Sequence, residues 1–86
     1  MIVRFHKNFE KRYKKLGSKQ KRKFKEKIAI FLKDEFDPIL NNHPLKGKFK
    51  SYRSISVSGN LRAIYKRETK KRAVFVTIDK HSNLYK

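Results

Sequence analysis

Strand-like segments separated by short polar turns fill much of the C-terminal half of this sequence and restrict what it can fold into. Residues 51–58, SYRSISVS, alternate in the way typical of a strand, and a Gly-Asn turn signal leads to a returning strand, LRAIYK, at 61–66. A polar turn then precedes AVFVTI (73–78), whose lack of polar alternation indicates a central strand covered on both faces. The pattern predicts an antiparallel meander.

Two helical apolar stripes precede the meander. The first comprises Phe5, Phe9, Tyr13 and Leu16 and predicts a helix beginning near residue 6 or 8. The second comprises Phe24, Ile28, Phe31, Leu32 and Phe36. We expect Gly17 to close the first helix as a C-cap, Ser18 to cap the second, and Asp37-Pro38 to end it.

The segment order predicts an α+β fold. Residues 1–5, MIVRF, add a short strand, which gives the order β-α-α-β-β-β, with two antiparallel helices on one face of a small antiparallel sheet. A length of 86 residues leaves room for one hydrophobic core, so we expect a single domain over 1–86. Residues 38–50 are expected to form an irregular connection.

The charge balance indicates a polyanionic partner. There are 25 Lys and Arg against 7 Asp and Glu, a formal net charge of +18. Between residues 7 and 27 there are eleven basic residues and two acidic ones. A solvated helix surface explains the polarity but not the single sign, since ordinary surface helices mix both charges. Nucleic acid is the favoured partner, and an acidic protein is the second.

Several classes of site are disfavoured. The chain has no cysteine, which excludes disulfides and thiolate metal sites. Asp79 and His81 form only a weak D-x-H metal signal, so we expect no metal and no cofactor. The N-terminus has no apolar run of signal-peptide length, and the longest apolar run, 28–32, is too short to span a bilayer. We expect a cytoplasmic protein without a membrane partner.

A second basic set lies in the connection and the predicted sheet, among aromatic residues that could stack on unpaired bases. The cations are Lys46, Lys48, Lys50, Arg53, Arg62 and Lys80, and the aromatics are Phe49, Tyr52 and Tyr85. The alternative is that Phe49 and Tyr52 are core residues, and for Phe49 that alternative is favoured. RNA carries its own nucleophile, the 2′-hydroxyl, so metal-free phosphodiester chemistry needs only groups that move protons and stabilise charge.

Two stretches, HPLKGKFKSYRSISVSGNLRAIYK (43–66) and VFVTIDKHSNLYK (74–86), carry a family resemblance. Their motifs H-P-L-x-G, Y-R, L-R-x-I-Y and H-x-x-L-Y resemble the RelE/ParE toxin superfamily, most closely its YafQ-like branch of mRNA endoribonucleases from bacterial type II toxin–antitoxin systems. The resemblance implies the β-α-α-β-β-β fold and metal-independent cleavage of mRNA in the ribosomal A site, which inhibits translation. It also implies a cognate acidic antitoxin as partner.

The resemblance assigns roles to particular residues. His81 matches the proton-transferring histidine, His43 another active-site histidine, Arg62 a phosphate-stabilising arginine, and Tyr85 a position occupied by an aromatic residue. Each has a plainer alternative: His81 as a loop histidine, His43 as a turn residue, Arg62 as a solvated residue on the sheet face, and Tyr85 as a packing residue at the C-terminus.

The sequence departs from the branch at three positions: Ser56 replaces a histidine, Asn60 an aspartate, and Leu61 a tryptophan. If the chain cleaves RNA, Arg62 and the lysines must then supply more of the charge stabilisation, and activity could be reduced or altered. Asn60 is expected to serve the turn by adopting positive φ, with substrate contact as its second role.

Three further interpretations stay open at this point. In one, Arg53 supports the site by pairing with a carboxylate such as Asp79 instead of binding RNA. A ParE-like inhibitor of DNA gyrase would share the fold without RNA chemistry. A non-catalytic module that binds RNA or the ribosome would explain the charge and the aromatic residues.

Overall fold

The computed structural model describes residues 1–47 and 50–84, and its elements follow the order expected from the sequence. They are β1 (Ile2–Phe5), α1 (Lys7–Lys14), α2 (Ser18–Lys33), a 3-10 helix (Pro38–Leu40), β2 (His43–Pro44), β3 (Tyr52–Ser58), β4 (Leu61–Thr69), β5 (Arg72–Lys80) and α3 (His81–Leu84). The α+β class is confirmed, with β2 and α3 as additions to the predicted order. In the described part of the chain, no helix is long and apolar enough to cross a membrane.

The strands form one sheet in the order β1-β5-β4-β3-β2. β3, β4 and β5 form the predicted antiparallel meander, but β1 pairs parallel with β5, so the sheet is mixed. β2 pairs His43 with Ser54 and Pro44 with Arg53, within the connection expected to be irregular. A strand of two residues has no alternation that a sequence pattern could reveal.

β5 lies between β1 and β4, so it is an interior strand, as predicted. Its two faces were expected to be covered equally, and they are not. Ala73, Phe75 and Ile78 are buried, whereas the residues between them are half-buried. Phe75 faces the helices, and its ring centroid lies 5.4 to 5.9 Å from those of Phe9, Phe24 and Phe31. Burial of such a ring contributes ~1.5–3 kcal/mol, which explains how a chain of low apolar content forms a core.

The boundary between the helices differs from the prediction. α1 begins after His6, whose Nδ1 accepts a hydrogen bond from the Asn8 backbone N–H at 3.0 Å. Gly17 is the N-cap of α2, not the C-cap of α1, and its N–H donates to Oε1 of Gln20 at 3.3 Å. Ser18 is therefore the first residue of α2. Because α1 already ends at Lys14, Gly17 is not needed as a left-handed residue to end it.

α2 ends at Lys33 instead of reaching Asp37, so Phe36 does not belong to the helical stripe. Oδ1 of Asp34 accepts a hydrogen bond from the Phe36 backbone N–H at 3.0 Å, and Asp37 bonds to the N–H of Ile39 in the same way. Aspartates that bond the backbone two residues onward compete with helix formation. As a result, the Phe36 side chain is 57% exposed.

Candidate active site

Arg62 is the buried cation of the sheet. Leu61 and Ala63 contribute to the core, so by the alternation of β4 Arg62 points to the face opposite the helices. It is only 8% exposed, so the interpretation of a solvated residue is wrong. Its Nε donates to Oγ of Ser54 at 2.5 Å and its Nη2 to the carbonyl oxygen of Asn41 at 2.9 Å. The protein thus fixes the position of this positive charge.

His43 lies against the Arg62 guanidinium. Pairing of β2 with β3 places His43 opposite Ser54, the residue whose hydroxyl binds Arg62. The Nδ1 atom of His43 is 3.3 Å from Nη2 of Arg62 and 3.2 Å from the carbonyl oxygen of Asn41. The structure therefore brings together two residues that the family resemblance assigned to the active site.

The two neighbours of His43 Nδ1 suit different protonation states. An arginine N–H can only donate, so it pairs with Nδ1 when that atom carries no proton. A carbonyl can only accept, so Asn41 pairs with Nδ1 when that atom is protonated. Nδ1 consequently has a hydrogen-bonding partner in either tautomer of the neutral ring.

His81 follows directly on β5 and begins α3. Its backbone N–H donates to the carbonyl oxygen of Asn60 at 2.7 Å, and the preceding residue, Lys80, pairs with Leu61 in the sheet. Asn60 is the turn residue directly before β4 and Arg62 is the second residue of that strand, so the start of β4 connects the His43–Arg62 pair to the position of His81. The Asn60 side chain is exposed, and the residue with positive φ in this turn is Gly59 (φ 53°), not Asn60 as expected.

Asp79 anchors α3 to the end of β5. Its Oδ1 accepts hydrogen bonds from Nδ2 of Asn83 at 3.1 Å and from the Lys80 backbone N–H at 2.8 Å, and its Oδ2 accepts from Arg12 at 2.5 Å. Partial burial alone would raise the pKa of this carboxyl, but these hydrogen bonds and the Arg12 charge leave it lowered. The three contacts fix the start of α3, where His81 lies.

The lowered pKa of Asp79 gives a pH prediction. Its contribution to stability is present above the unfolded pKa, ~3.9, and is lost as pH falls through the lower pKa of the folded state. We therefore expect the Asn83 side-chain amide signals in NMR spectra to shift in acid below about pH 4. Asp79→Asn should abolish this transition, and an identical transition in that variant would contradict the assignment.

The predicted RNA-binding cations differ in their exposure to solvent. Lys46, Lys50 and Lys80 are exposed, as phosphate contacts require. Arg53 is half-buried, donates from Nε to Oδ1 of Asn42 at 2.8 Å, and lies 5.1 Å from the Phe36 ring centroid. Lys48 and Tyr85 lie outside the described residues.

The suggested pairing of Arg53 with Asp79 is not formed. Arg53 faces Tyr65, whose partner in β5 is Phe75, four residues before Asp79. The carboxylate of Asp79 is bound by Arg12 of α1 instead. Arg53 therefore supports the segment around Asn42, not the end of β5.

Sequence reasoning missed Ser54, Asn41 and Asn42, all of which surround the His43–Arg62 pair. Ser54 is fully buried, and its hydroxyl accepts from Arg62 across the β3–β4 ladder. Asn41 acts through its carbonyl and has positive φ, 47°. In the sequence, an Asn-Asn pair before His-Pro is an ordinary turn signal. Only the tertiary contacts show that these asparagines also support the His43–Arg62 pair.

Comparisons with known proteins identify the family and the fold of the chain. Residues 1–86 match the family described as the bacterial toxin of type II toxin-antitoxin system, YafQ. No curated protein sequence matches the chain. A chain in the crystal structure of the E. coli DinJ-YafQ toxin-antitoxin complex is 25% identical, with a TM-score of 0.73 over 98% of this chain and 96% of that one.

Two more distant structures share the fold. A chain in the RelB-RelE antitoxin-toxin complex from Methanococcus jannaschii is 20% identical, with a TM-score of 0.76 over 96% of this chain and 95% of that one. The YoeB/ParE toxin from Agrobacterium tumefaciens is 18% identical, with a TM-score of 0.78 over 94% and 99%. The RelE-like fold and the superfamily resemblance are confirmed, and since the family match covers the whole sequence, this chain belongs to the YafQ family of bacterial type II toxin–antitoxin toxins.

Proposed function

We propose that this toxin is a metal-independent endoribonuclease that cleaves mRNA in the ribosomal A site. The observation that supports the proposal most strongly is the contact between His43 and Arg62, in which Nδ1 has a neighbour for either protonation state. His81, at the adjoining end of the sheet, supplies the second proton carrier. The exposed Lys46, Lys50 and Lys80 hold the RNA phosphates.

The chemistry needs two proton transfers. The 2′-oxygen of one nucleotide forms a bond to the adjacent phosphorus, and the bond from phosphorus to the 5′-oxygen of the next nucleotide breaks. One histidine takes the proton of the 2′-hydroxyl, and the other gives a proton to the departing 5′-oxygen. The fixed charge of Arg62 stabilises the negative charge that develops on the phosphate oxygens. The products are a 2′,3′-cyclic phosphate and a 5′-hydroxyl.

The test is primer extension on a defined mRNA with ribosomes present or absent. New ends that appear only with ribosomes and that bear a 5′-hydroxyl are expected. A soluble wild-type protein that produces no cuts would contradict the proposal. Inhibition of DNA supercoiling by gyrase would then favour the ParE-like hypothesis. Unchanged supercoiling together with binding to the ribosome would favour the non-catalytic binding module.

We also propose a cognate acidic antitoxin, whose amphipathic segment binds the groove between α1 and α2. The groove encloses about 520 Å³ and has aromatic walls, and its charged lining residues are Lys14, Lys25 and Glu10, two basic against one acidic. Phe5, at its edge, is 40% exposed. An apolar floor with basic residues complements a segment whose apolar side chains are flanked by carboxylates. The E. coli and M. jannaschii structures named above are themselves complexes with an antitoxin.

Charge reversal at the groove is expected to weaken antitoxin binding. The double variant Lys14→Glu/Lys25→Glu should lower the affinity for the acidic protein encoded beside this gene by about tenfold or more, a change of 1.4 kcal/mol or more. Lys70→Glu/Lys71→Glu is the matched control, because it changes the net charge by the same amount and both lysines lie in the β4–β5 turn outside the groove. Isothermal titration calorimetry measures both. Equal affinities for the two variants would place the antitoxin elsewhere.

A further inference from the structure

Asn42 immediately precedes His43, and all of its side-chain polar atoms are hydrogen-bonded. Nδ2 donates to the hydroxyl of Tyr65 at 2.8 Å and to the carbonyl oxygen of Glu35 at 3.0 Å. Oδ1 accepts from Nε of Arg53 at 2.8 Å. The side chain therefore joins the segment before β2 to the turn that follows α2, to β3 and to β4.

The partners of Asn42 are themselves fixed. The Tyr65 hydroxyl donates to Oε2 of Glu35 at 2.5 Å, and Arg67 pairs with the other carboxylate oxygen. Tyr65 is fully buried and Glu35 is 7% exposed. Burial, followed by the hydrogen bond to Glu35, raises the pKa of Tyr65 well above its ordinary value. The network is a rigid support below the site.

The backbone that Asn42 holds carries the contacts of the site. Asn41 adopts the left-handed conformation (φ 47°, ψ 49°), which persists in a non-glycine residue when the surroundings hold it there. This conformation directs the Asn41 carbonyl toward Arg62 and His43. Freedom at residue 42 would let both the carbonyl and the imidazole move away from the guanidinium.

We propose that Asn42 is a positioning residue for RNA cleavage, which keeps His43 Nδ1 between Arg62 and the Asn41 carbonyl without touching RNA. The proposal rests on the function proposed above for His43. A displacement of ~1 Å at a reacting group can cost ~10²-fold in rate. We therefore expect Asn42→Ala to lower kcat by about 10–100-fold and to leave KM for the programmed ribosome unchanged.

The test combines that kinetic split with NMR of the imidazole nitrogens. The chain has three histidines, so His6 and His81 serve as internal references. Asn42→Ala should shift the His43 ring nitrogens and leave the other two rings in place. Asn8→Ala is the matched asparagine control, because the Asn8 side chain donates to the carbonyl oxygen of Val76 outside the site, and it should leave kcat and the His43 signals unchanged. Tyr65→Phe removes one partner of Asn42 while keeping the buried ring, and it should reproduce the His43 shift if Asn42→Ala does not fold.

The outcomes separate the two proposals. His43 signals that stay unchanged in both Asn42→Ala and Tyr65→Phe would overturn the positioning role, whatever the activity. A loss of ribosome affinity equal to the loss of kcat would also overturn it, since a positioning residue acts after binding. A His43 shift in a protein whose wild type cuts no RNA would support the positioning of His43 and would refute the nuclease proposal alone.

Discussion

Replacing His81 with alanine is expected to lower ribosome-dependent mRNA cleavage by about 10²–10⁴-fold, because it removes a proton carrier. The fold should persist, since His81 is exposed and its bond to Asn60 is made by the backbone N–H, which alanine retains. Primer extension on the same mRNA measures the cleavage, and ribosome co-sedimentation checks that binding is intact.

His6→Asn is the matched control for His81→Ala. His6 caps α1 through Nδ1, and asparagine provides an alternative acceptor at an N-cap position. The control variant should therefore cut at the wild-type rate. Full activity in His81→Ala would show that His81 has no catalytic role and would leave His43 as the only candidate proton carrier among the described residues.

The second large effect concerns two phenylalanines that the sequence pattern puts in the same stripe. Phe31→Ala is expected to lower the free energy of unfolding by ~3–5 kcal/mol, because Phe31 is 1% exposed and packs on Tyr65 and Phe75. Phe36→Ala should lower the free energy of unfolding by less than ~1 kcal/mol, because it removes only an exposed cation–π contact with Arg53.

Urea unfolding followed by circular dichroism measures both variants, and the shift of the midpoint at constant slope gives the stability change. Similar losses in the two variants would mean that α2 continues through Phe36 and that its ring is buried. Phe31→Ala could fail to fold at all, in which case Phe31→Leu should show the same direction with a smaller loss.

Much of the fold could be predicted because it depends on local patterns. The alternation of β3, the Gly-Asn turn and the aromatic spacing of α1 each reflect a neighbour relation within a few residues. The failures at Gly17 and Phe36 are also local, but there two signals competed. A glycine serves either cap of a helix, and the aspartates at 34 and 37 bond the backbone ahead of Pro38.

The candidate site is only partly local. The family resemblance singled out His43, Arg62 and His81, and its motifs place them within 39 residues of one another along the chain. What no spacing indicated is that Arg62 is buried, that Ser54 and the Asn41 carbonyl hold it, and that Asp79 binds Arg12, 67 residues away.

The sequence by itself determined the fold class, the strongly basic character and the residue types available for catalysis, because periodicity, composition and motif are properties of the chain alone. Only the tertiary structure decided which of those residues meet, because a hydrogen bond joins atoms that the sheet register and the β2–β3 pairing bring into contact. Arg62 shows the difference. Its position in an alternating strand can be predicted from the sequence. Its fixed place against His43 depends on the pairing of the two-residue strand β2 with β3 and on the left-handed conformation of Asn41.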